Sequence, residues 1–316
     1  MVAALLSSSW ARSVPQLVAT QGLLYAIGCS LVYTPTICYL DQWFVERKGF
    51  AFGMMYAGTG VGGVVLPFAF NAALSTFSFR TVLRAYGIFL FVALLPLQHY
   101  IRPRLPLQLS RATDLAFLRS PLIGLFQLGN IIQSLGFFLP PLFLPTSTTD
   151  LGYSTTMATL TVVLFNVASV VGCVILGAMI DKYDVTICIA LSALGPALSV
   201  WVLWGTATNL GIIFTFCIAY GLFAGSFSAT WPGIMRKVQG TWPNASGTMV
   251  FAFLAAGRGL GNVISGPVSS YLVNGKGSKT PMTGGYYGPY MPMVIFTGAS
   301  ALVGGLAAFS RVRRSA

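Results

Sequence analysis

Acidic side chains are scarce in this chain: six Asp and Glu among 316 residues, beside a single histidine. Fully charged residues make up 8%, where a soluble globular domain carries about 25%. So few charges cannot cover a surface that faces water, which excludes most soluble enzymes and disordered tails. No metal-ligand spacing, catalytic triad or phosphate loop followed by Lys-Ser/Thr is present, so no metal, no cofactor and no enzymatic activity are expected. The five cysteines (Cys29, Cys38, Cys173, Cys188 and Cys217) lie in or at the edge of apolar runs without a CxxC pair. That excludes a disulfide-stapled module and reads as small embedded hydrophobes.

Apolar residues take the place of charge: 55% of the chain, with a mean hydropathy of +0.78. A helix that crosses a bilayer needs about 20 mostly apolar residues. Nine stretches are read as spans: Leu17–Leu40, Phe50–Leu74, a shorter Ala85–Ile101, Leu122–Leu144, Met157–Ile180, Val185–Gly205, Leu210–Trp231, Gly247–Val273 and Met291–Phe309. A tenth apolar piece, residues 1–9, reaches about 14 Å at the helical rise, under half the hydrocarbon thickness, and is a stub. The predicted fold is an all-α polytopic membrane protein of about nine full transmembrane helices plus this stub.

The net charge of +12 falls in short clusters between apolar runs. This is the pattern of topogenic loop charge rather than of a nucleic-acid surface. One side gathers Arg47, Lys48, Arg102, Arg104, Arg111, Arg119, Lys182, Arg236, Lys237 and three tail arginines; the other has Arg12, Arg80, Arg84, Lys276 and Lys279. The positive-inside rule makes the first side cytoplasmic and places the C-terminus there. The sequon Asn244-Ala245-Ser246 then lies in the cytoplasm and is expected to stay unmodified.

Two stretches resemble each other. The first runs from Trp43 through Arg47-Lys48 and Gly58-x-Gly60-x-Gly62 to Pro67; the second from Trp231 through Arg236-Lys237 and Gly257-x-Gly259-x-Gly261 to Pro267. Both leave the cytoplasm in the same direction, as in the parallel duplicated halves of one class of secondary transporters. Four spans lie between the central loop and the second Gly-rich helix, but only one full span and the stub precede the first. The chain is therefore expected to be a truncated version of a twelve-span protein, equivalent to its helices 3–12. Residues 1–101 would form an incomplete N-terminal bundle, 102–121 a cytoplasmic central loop and 122–316 a C-terminal six-helix bundle.

Gly58-x-Gly60-x-x-Gly63 satisfies the dinucleotide-binding pattern but sits mid-span in an apolar helix, where no strand precedes it. Gly58, Gly60, Gly62, Gly257, Gly259 and Gly261 are read instead as packing or gating residues, since small side chains let backbones approach in lipid. Asp181 and Lys182, at the tight turn after Gly177, read as a helix cap and a charge holding a neighbouring helix.

Arg258 lies mid-span, where a charge costs about 2.5–3.5 kcal/mol even on the gentlest scale. No acidic residue occupies the middle of any span. Three readings stand: Arg258 binds an anionic substrate, it is held structurally by carbonyls and amides, or its partner belongs to helices outside this chain. Gln127, Asn130 and Gln133 recur at a spacing of three, and with Asn166, Ser169, Tyr56 and Thr59 they can line a polar midplane cavity. Interhelical hydrogen bonding without a ligand is the competing reading. His99 reads as an interfacial anchor. The Gly, Ser and Pro residues from Gly221 to Pro232, and Pro140-Pro141, mark a gate or a structural kink.

Asp41-x-Trp43-Phe44-x-x-Arg47-Lys48-Gly49-x-Ala51-x-Gly53, with Ala57-Gly58-Thr59-Gly60 after it, resembles the loop 4–5 signature of the monocarboxylate-porter family of the major facilitator superfamily. Gly225-x-Phe227-Ser228-Ala229-Thr230-Trp231 and Ala255-Ala256-Gly257-Arg258-Gly259-x-Gly261-Asn262 are similar to its fungal branch. Gly177-x-x-x-Asp181-Lys182 is similar to half of the superfamily's loop signature. The resemblance implies two six-helix bundles, alternating access around a central site, and transport of small organic anions of the monocarboxylate type, often with a proton, across the plasma membrane. The superfamily's loop 2–3 signature and the helix 8 Asp–Arg pair of animal members are missing. On this reading Arg258 attracts the substrate carboxylate, assisted by Asn130, Gln133, Asn166 and Tyr56, and Asp41, Arg47, Lys48, Asp181 and Lys182 form the cytoplasmic loop motifs. No obligate protein partner is inferred. The alternatives are a truncated, non-transporting fragment of such a carrier, or a membrane nutrient sensor on the same scaffold.

Overall fold

The computed structural model describes residues 1–104, 116–274, 286 and 289–306. Its elements, in chain order, are α1 (Val2–Ser8), α2 (Val14–Trp43), α3 (Lys48–Thr76), α4 (Phe79–Tyr100), α5 (Pro121–Asp150), α6 (Thr155–Lys182), α7 (Val185–Trp204), α8 (Leu210–Thr241), α9 (Gly247–Asn274) and α10 (Met291–Gly304). Eight of them, α2 to α9, are long and apolar enough to cross a membrane. Among the described residues the protein is all-helical, with the long apolar helices of a polytopic membrane protein. The ninth expected span is present as the shorter α10; its expected continuation to Phe309 lies outside the described residues.

Local chemistry sets the helix starts. Ser78, Ser154, Asp184 and Asn209 stand in extended backbone before α4, α6, α7 and α8, and each side chain accepts an amide of the first turn. Such caps satisfy donors that a helix leaves open. Gly152, at φ +86°, makes the turn between α5 and α6, a conformation that costs glycine nothing.

Three spans differ from their sequence reading. The short span expected at Ala85–Ile101 is a helix from Phe79 to Tyr100, so Arg80 and Arg84, expected in a loop, are helical behind the Ser78 cap. The span expected at Leu122–Leu144 is interrupted at Phe138 and continues to Asp150. Pro140 and Pro141 explain the break, since neither has an N–H to return to the carbonyl four residues back. The Phe137 carbonyl freed by Pro141 accepts the hydroxyl of the buried Tyr220 at 3.1 Å. The span expected to end at Trp231 passes through a 3-10 turn at Phe227–Thr230 and runs on to Thr241. Arg236 and Lys237, expected in a loop, are therefore helical.

By internal contacts the chain forms two compact units: Met1–Val45 with Val65–Ser110, and Glu46–Val64 with Arg111–Ala316. In the first, α1 packs on α4, with Ala4 and Leu5 buried. Arg84 donates to Ser9 at 3.0 Å and lies over the Trp10 ring. The second holds a core of Phe137, Leu144, Phe165, Trp204, Phe216 and Tyr220 from α5 to α8. Outward apolar side chains such as Leu31, Phe89 and Val263 are the expected lipid contacts of such helices.

Candidate substrate site

The site is built in the second unit, where α5 and α9 meet at glycines. A Cβ on Gly257 would overlap the Gln127 amide, and one on Gly261 would overlap Ser134 and stand 2.6 Å from the Ile131 carbonyl. This close approach lets α5 hydrogen-bond to the α9 backbone: Gln127 Nε2 donates to the Phe253 carbonyl at 2.7 Å and Asn130 Nδ2 to the Leu254 carbonyl at 2.6 Å. One turn on, Arg258 Nη1 donates to Gln133 Oε1 at 2.9 Å. The guanidinium carbon lies 4.6 Å from the Phe137 ring centre and 5.9 Å from that of Phe227. Aromatic faces attract a cation most strongly where water is thin. Among the described residues no carboxylate stands within ion-pair distance of Arg258. Among the described residues its charge is therefore met by an amide oxygen and ring faces.

The remaining sequence-selected residues separate into two kinds. The ring of Tyr56, on α3, stands at 89° to that of Trp231. Asn130 and Asn166, expected to face a ligand, direct their amide N–H groups at backbone instead. Asn166 Nδ2 donates to Val162 at 2.9 Å and to the Gly63 carbonyl at 3.4 Å, joining α6 to α3. Ser169 donates to Phe165 and to Gly221 of α8. Asn130 Oδ1 is buried without a partner. The sequence reading placed Phe227 in a motif and did not single out Phe137, the two rings beside Arg258. Their signal was a cluster of aromatics in the same spans as the polar residues.

The glycines sort by face. A Cβ on Gly60 would stand 2.6 Å from a Val170 methyl and 3.0 Å from the Asn166 carbonyl, and Gly53 packs on Gly177 across α3 and α6. A Cβ on Gly58 or Gly259, both read as packing or gating residues, would meet no other part of the protein within 4 Å. The reason is helical period: residues two apart point about 200° apart, so alternate glycines cannot both meet one neighbour. Gly62 is half-buried.

At the cytoplasmic-motif end, Asp181 leaves α6 and grips the start of α3. Its Oδ1 accepts the Gly49 amide and its Oδ2 the Phe50 amide, each at 2.8 Å. Arg236 of α8 donates to the same Oδ1 at 2.9 Å and to the Ile180 carbonyl at 2.6 Å. The pairing of a carboxylate with open helix-start amides and a guanidinium follows from charge at a helix N-terminus. Asp184, three residues on, caps α7 through Thr186. Asp41 is half-buried in the last turn of α2, Lys48 opens α3, and Arg47 and Lys182 are exposed. His99 lies 2.9 Å from Arg102 Nη2.

At the other end of α5, the Tyr290 hydroxyl donates to Asp150 Oδ2 at 2.9 Å, just before α10. Burial, and then this hydrogen bond, push the Tyr290 hydroxyl pKa well up.

No family model matches the chain. It is 28% identical over 277 residues to an MFS-type transporter of Gibberella moniliformis, covering 84% of this chain and 65% of that protein. It is 30% identical to the MFS-type transporter pynF of Aspergillus niger, covering 71% of this chain and 52% of that protein. It is 25% identical to the aspyridones efflux protein apdF of Emericella nidulans, covering 93% of this chain and 58% of that protein. The chain thus spans between about half and two thirds of the length of these relatives. At this modest identity, relatives named as fungal MFS-type transporters, together with eight apolar helices of membrane-spanning length among this chain's described residues, support the major facilitator superfamily.

Proposed function

We propose that the protein is a secondary transporter that carries an organic anion through the membrane by alternating access, with Arg258 as the anchor for the anionic group. The carrying observation is the mid-span guanidinium, held by one hydrogen bond to Gln133 and by ring faces, with no carboxylate beside it among the described residues. A guanidinium in that setting can grip a carboxylate through two parallel hydrogen bonds. The substrate class that the monocarboxylate-porter resemblance brings is a small organic acid, with or without a proton. Relatives named as efflux proteins favour export as the direction. The reading keeps the plasma membrane as location, a cytoplasmic C-terminus, and two bundles, 1–101 and 122–316, as the moving bodies.

The Gln133 contact also favours a second reading, in which Arg258 only ties α9 to α5. Counterflow of radiolabelled benzoate and lactate in proteoliposomes separates the two. Under the transporter reading, Arg258→Gln abolishes counterflow while the protein stays folded and monodisperse. Under the second, Arg258→Gln lowers thermal stability, and whatever counterflow survives in the folded fraction is unchanged.

A further inference from the structure

Trp231 is the first residue of its α-helical segment in α8, and its side chain is 3% exposed. Its indole Nε1–H is buried and has no hydrogen-bond partner. A buried donor left open costs on the order of 1–3 kcal/mol, so an otherwise well-packed tryptophan carries an unmet demand for an acceptor. The residue is not isolated. Its ring meets Tyr56 edge-on at 6.3 Å between centres and Phe251 at 5.1 Å, and Phe251 in turn meets Phe52 at 5.8 Å. Phe227, one turn before Trp231, is the second ring beside the Arg258 guanidinium.

Depth agrees as well. Arg258 is eleven residues into α9 from Gly247, and Trp231 is ten residues from the end of α8 at Thr241. At the helical rise both lie about 15 Å from those two neighbouring helix ends. Phe227, beside the guanidinium, and Trp231 are one turn apart, a rise of about 6–8 Å along α8. A two- or three-carbon acid cannot touch both.

We infer that Trp231 supplies a second, specificity-determining donor to the site of Arg258, so that the substrate is an extended organic anion with a planar or aromatic body and a carbonyl or similar acceptor oxygen remote from its anionic group. This rests on the reading of Arg258 as the anion anchor and narrows its substrate class. The aromatic rings beside the two donors suit a flat body. The orphaned N–H discriminates by the rule that a site built to hydrogen-bond rejects an analogue lacking the partner atom more strongly than it rejects a missing methylene.

The test uses two acids of equal length that differ only at the bridging carbon. 4-Benzoylbenzoate carries a ketone between its rings, and 4-benzylbenzoate carries a methylene there. Binding of each to the detergent-solubilised chain is measured by calorimetry for the wild type, Trp231→Phe and Arg258→Gln. The wild type is expected to bind the ketone about tenfold more tightly than the methylene analogue. Trp231→Phe is expected to erase that preference by weakening the ketone alone, and Arg258→Gln to weaken both acids. Equal binding of the two acids by the wild type overturns the inference, and needs no variant to fold. So does a preference that survives in Trp231→Phe, or a loss there shared equally by both acids. If Arg258→Gln leaves both affinities unchanged, or the wild type binds neither acid, the anchor reading falls and the inference falls with it.

Discussion

Asp181 and Arg236 meet at 2.9 Å on an oxygen that also accepts the Gly49 amide. The Asp181 side chain is 11% exposed and that of Arg236 37%. Solvent therefore screens the guanidinium contact more than the two helix-start amides. The account expects Asp181→Asn to destabilise the chain by about 1–2 kcal/mol, chiefly through the lost charge at the start of α3. Arg236→Gln should cost less than half as much. Thermal unfolding in detergent measures both, and equal losses would place the main interaction in the ion pair instead.

The glycine faces give a paired prediction. Gly177→Ala puts a methyl 2.9 Å from the Gly53 Cα and 3.2 Å from its amide nitrogen, and neither is the end of a flexible side chain. Overpacking of this kind costs about 1–3 kcal/mol. Gly58→Ala and Gly259→Ala enter open space and should be neutral or slightly stabilising, since alanine is the better helix former. A thermostability scan of the three variants checks the order. Destabilisation by Gly58→Ala as large as that by Gly177→Ala would contradict the packing described.

Asn130 and Gln133 are predicted to part company. Asn130→Ala removes a donor to the Leu254 carbonyl and should lower stability by about 0.6–2 kcal/mol without changing which anions are carried. Gln133→Ala removes the oxygen that holds Arg258 and should shift apparent anion affinity several-fold at similar stability. Comparing unfolding temperature with half-saturation for each variant decides the assignment.

Tyr290 sets an alkaline limit. Its folded hydroxyl holds its proton more tightly than the ordinary value of about 10, through burial and the bond to Asp150. That contribution is complete below pH 10 and declines as pH rises through the raised folded value, because the unfolded chain then releases a proton that the folded chain keeps. Stability should fall from about pH 10 upward, and Tyr290→Phe should flatten part of that slope. Equal slopes for wild type and variant would remove Tyr290 from the explanation.

Much of this architecture is legible in the sequence, because apolar runs of bilayer length leave few choices. The span read at Met157–Ile180 is found as Thr155–Lys182, as hydrophobic length requires, although the residue that caps the next helix is Asp184 rather than Asp181. The continuation of α8 past Trp231 is not legible, because Arg236 and Lys237 read as loop charge until Asp181 is found opposite. Nor is the facing of Gly58 against Gly60, which depends on helix rotation rather than composition. Arg258 could be selected because charge in lipid is costly, whereas Trp231 could not. An apolar residue in an apolar run gives no sign that its one N–H lacks a partner. The amides of Asn130 and Asn166 looked equivalent to that of Gln133; only the close approach of α9 and α3 turned them to backbone carbonyls.

The account stands on Arg258. The most direct measurement is organic-anion counterflow in proteoliposomes for wild type, Arg258→Lys and Arg258→Gln, each normalised to folded protein. The account predicts counterflow by the wild type, a weakened but measurable rate for Arg258→Lys, which keeps the charge but not the paired donors, and none for Arg258→Gln. Wild-type rates in a correctly folded Arg258→Gln variant would contradict it.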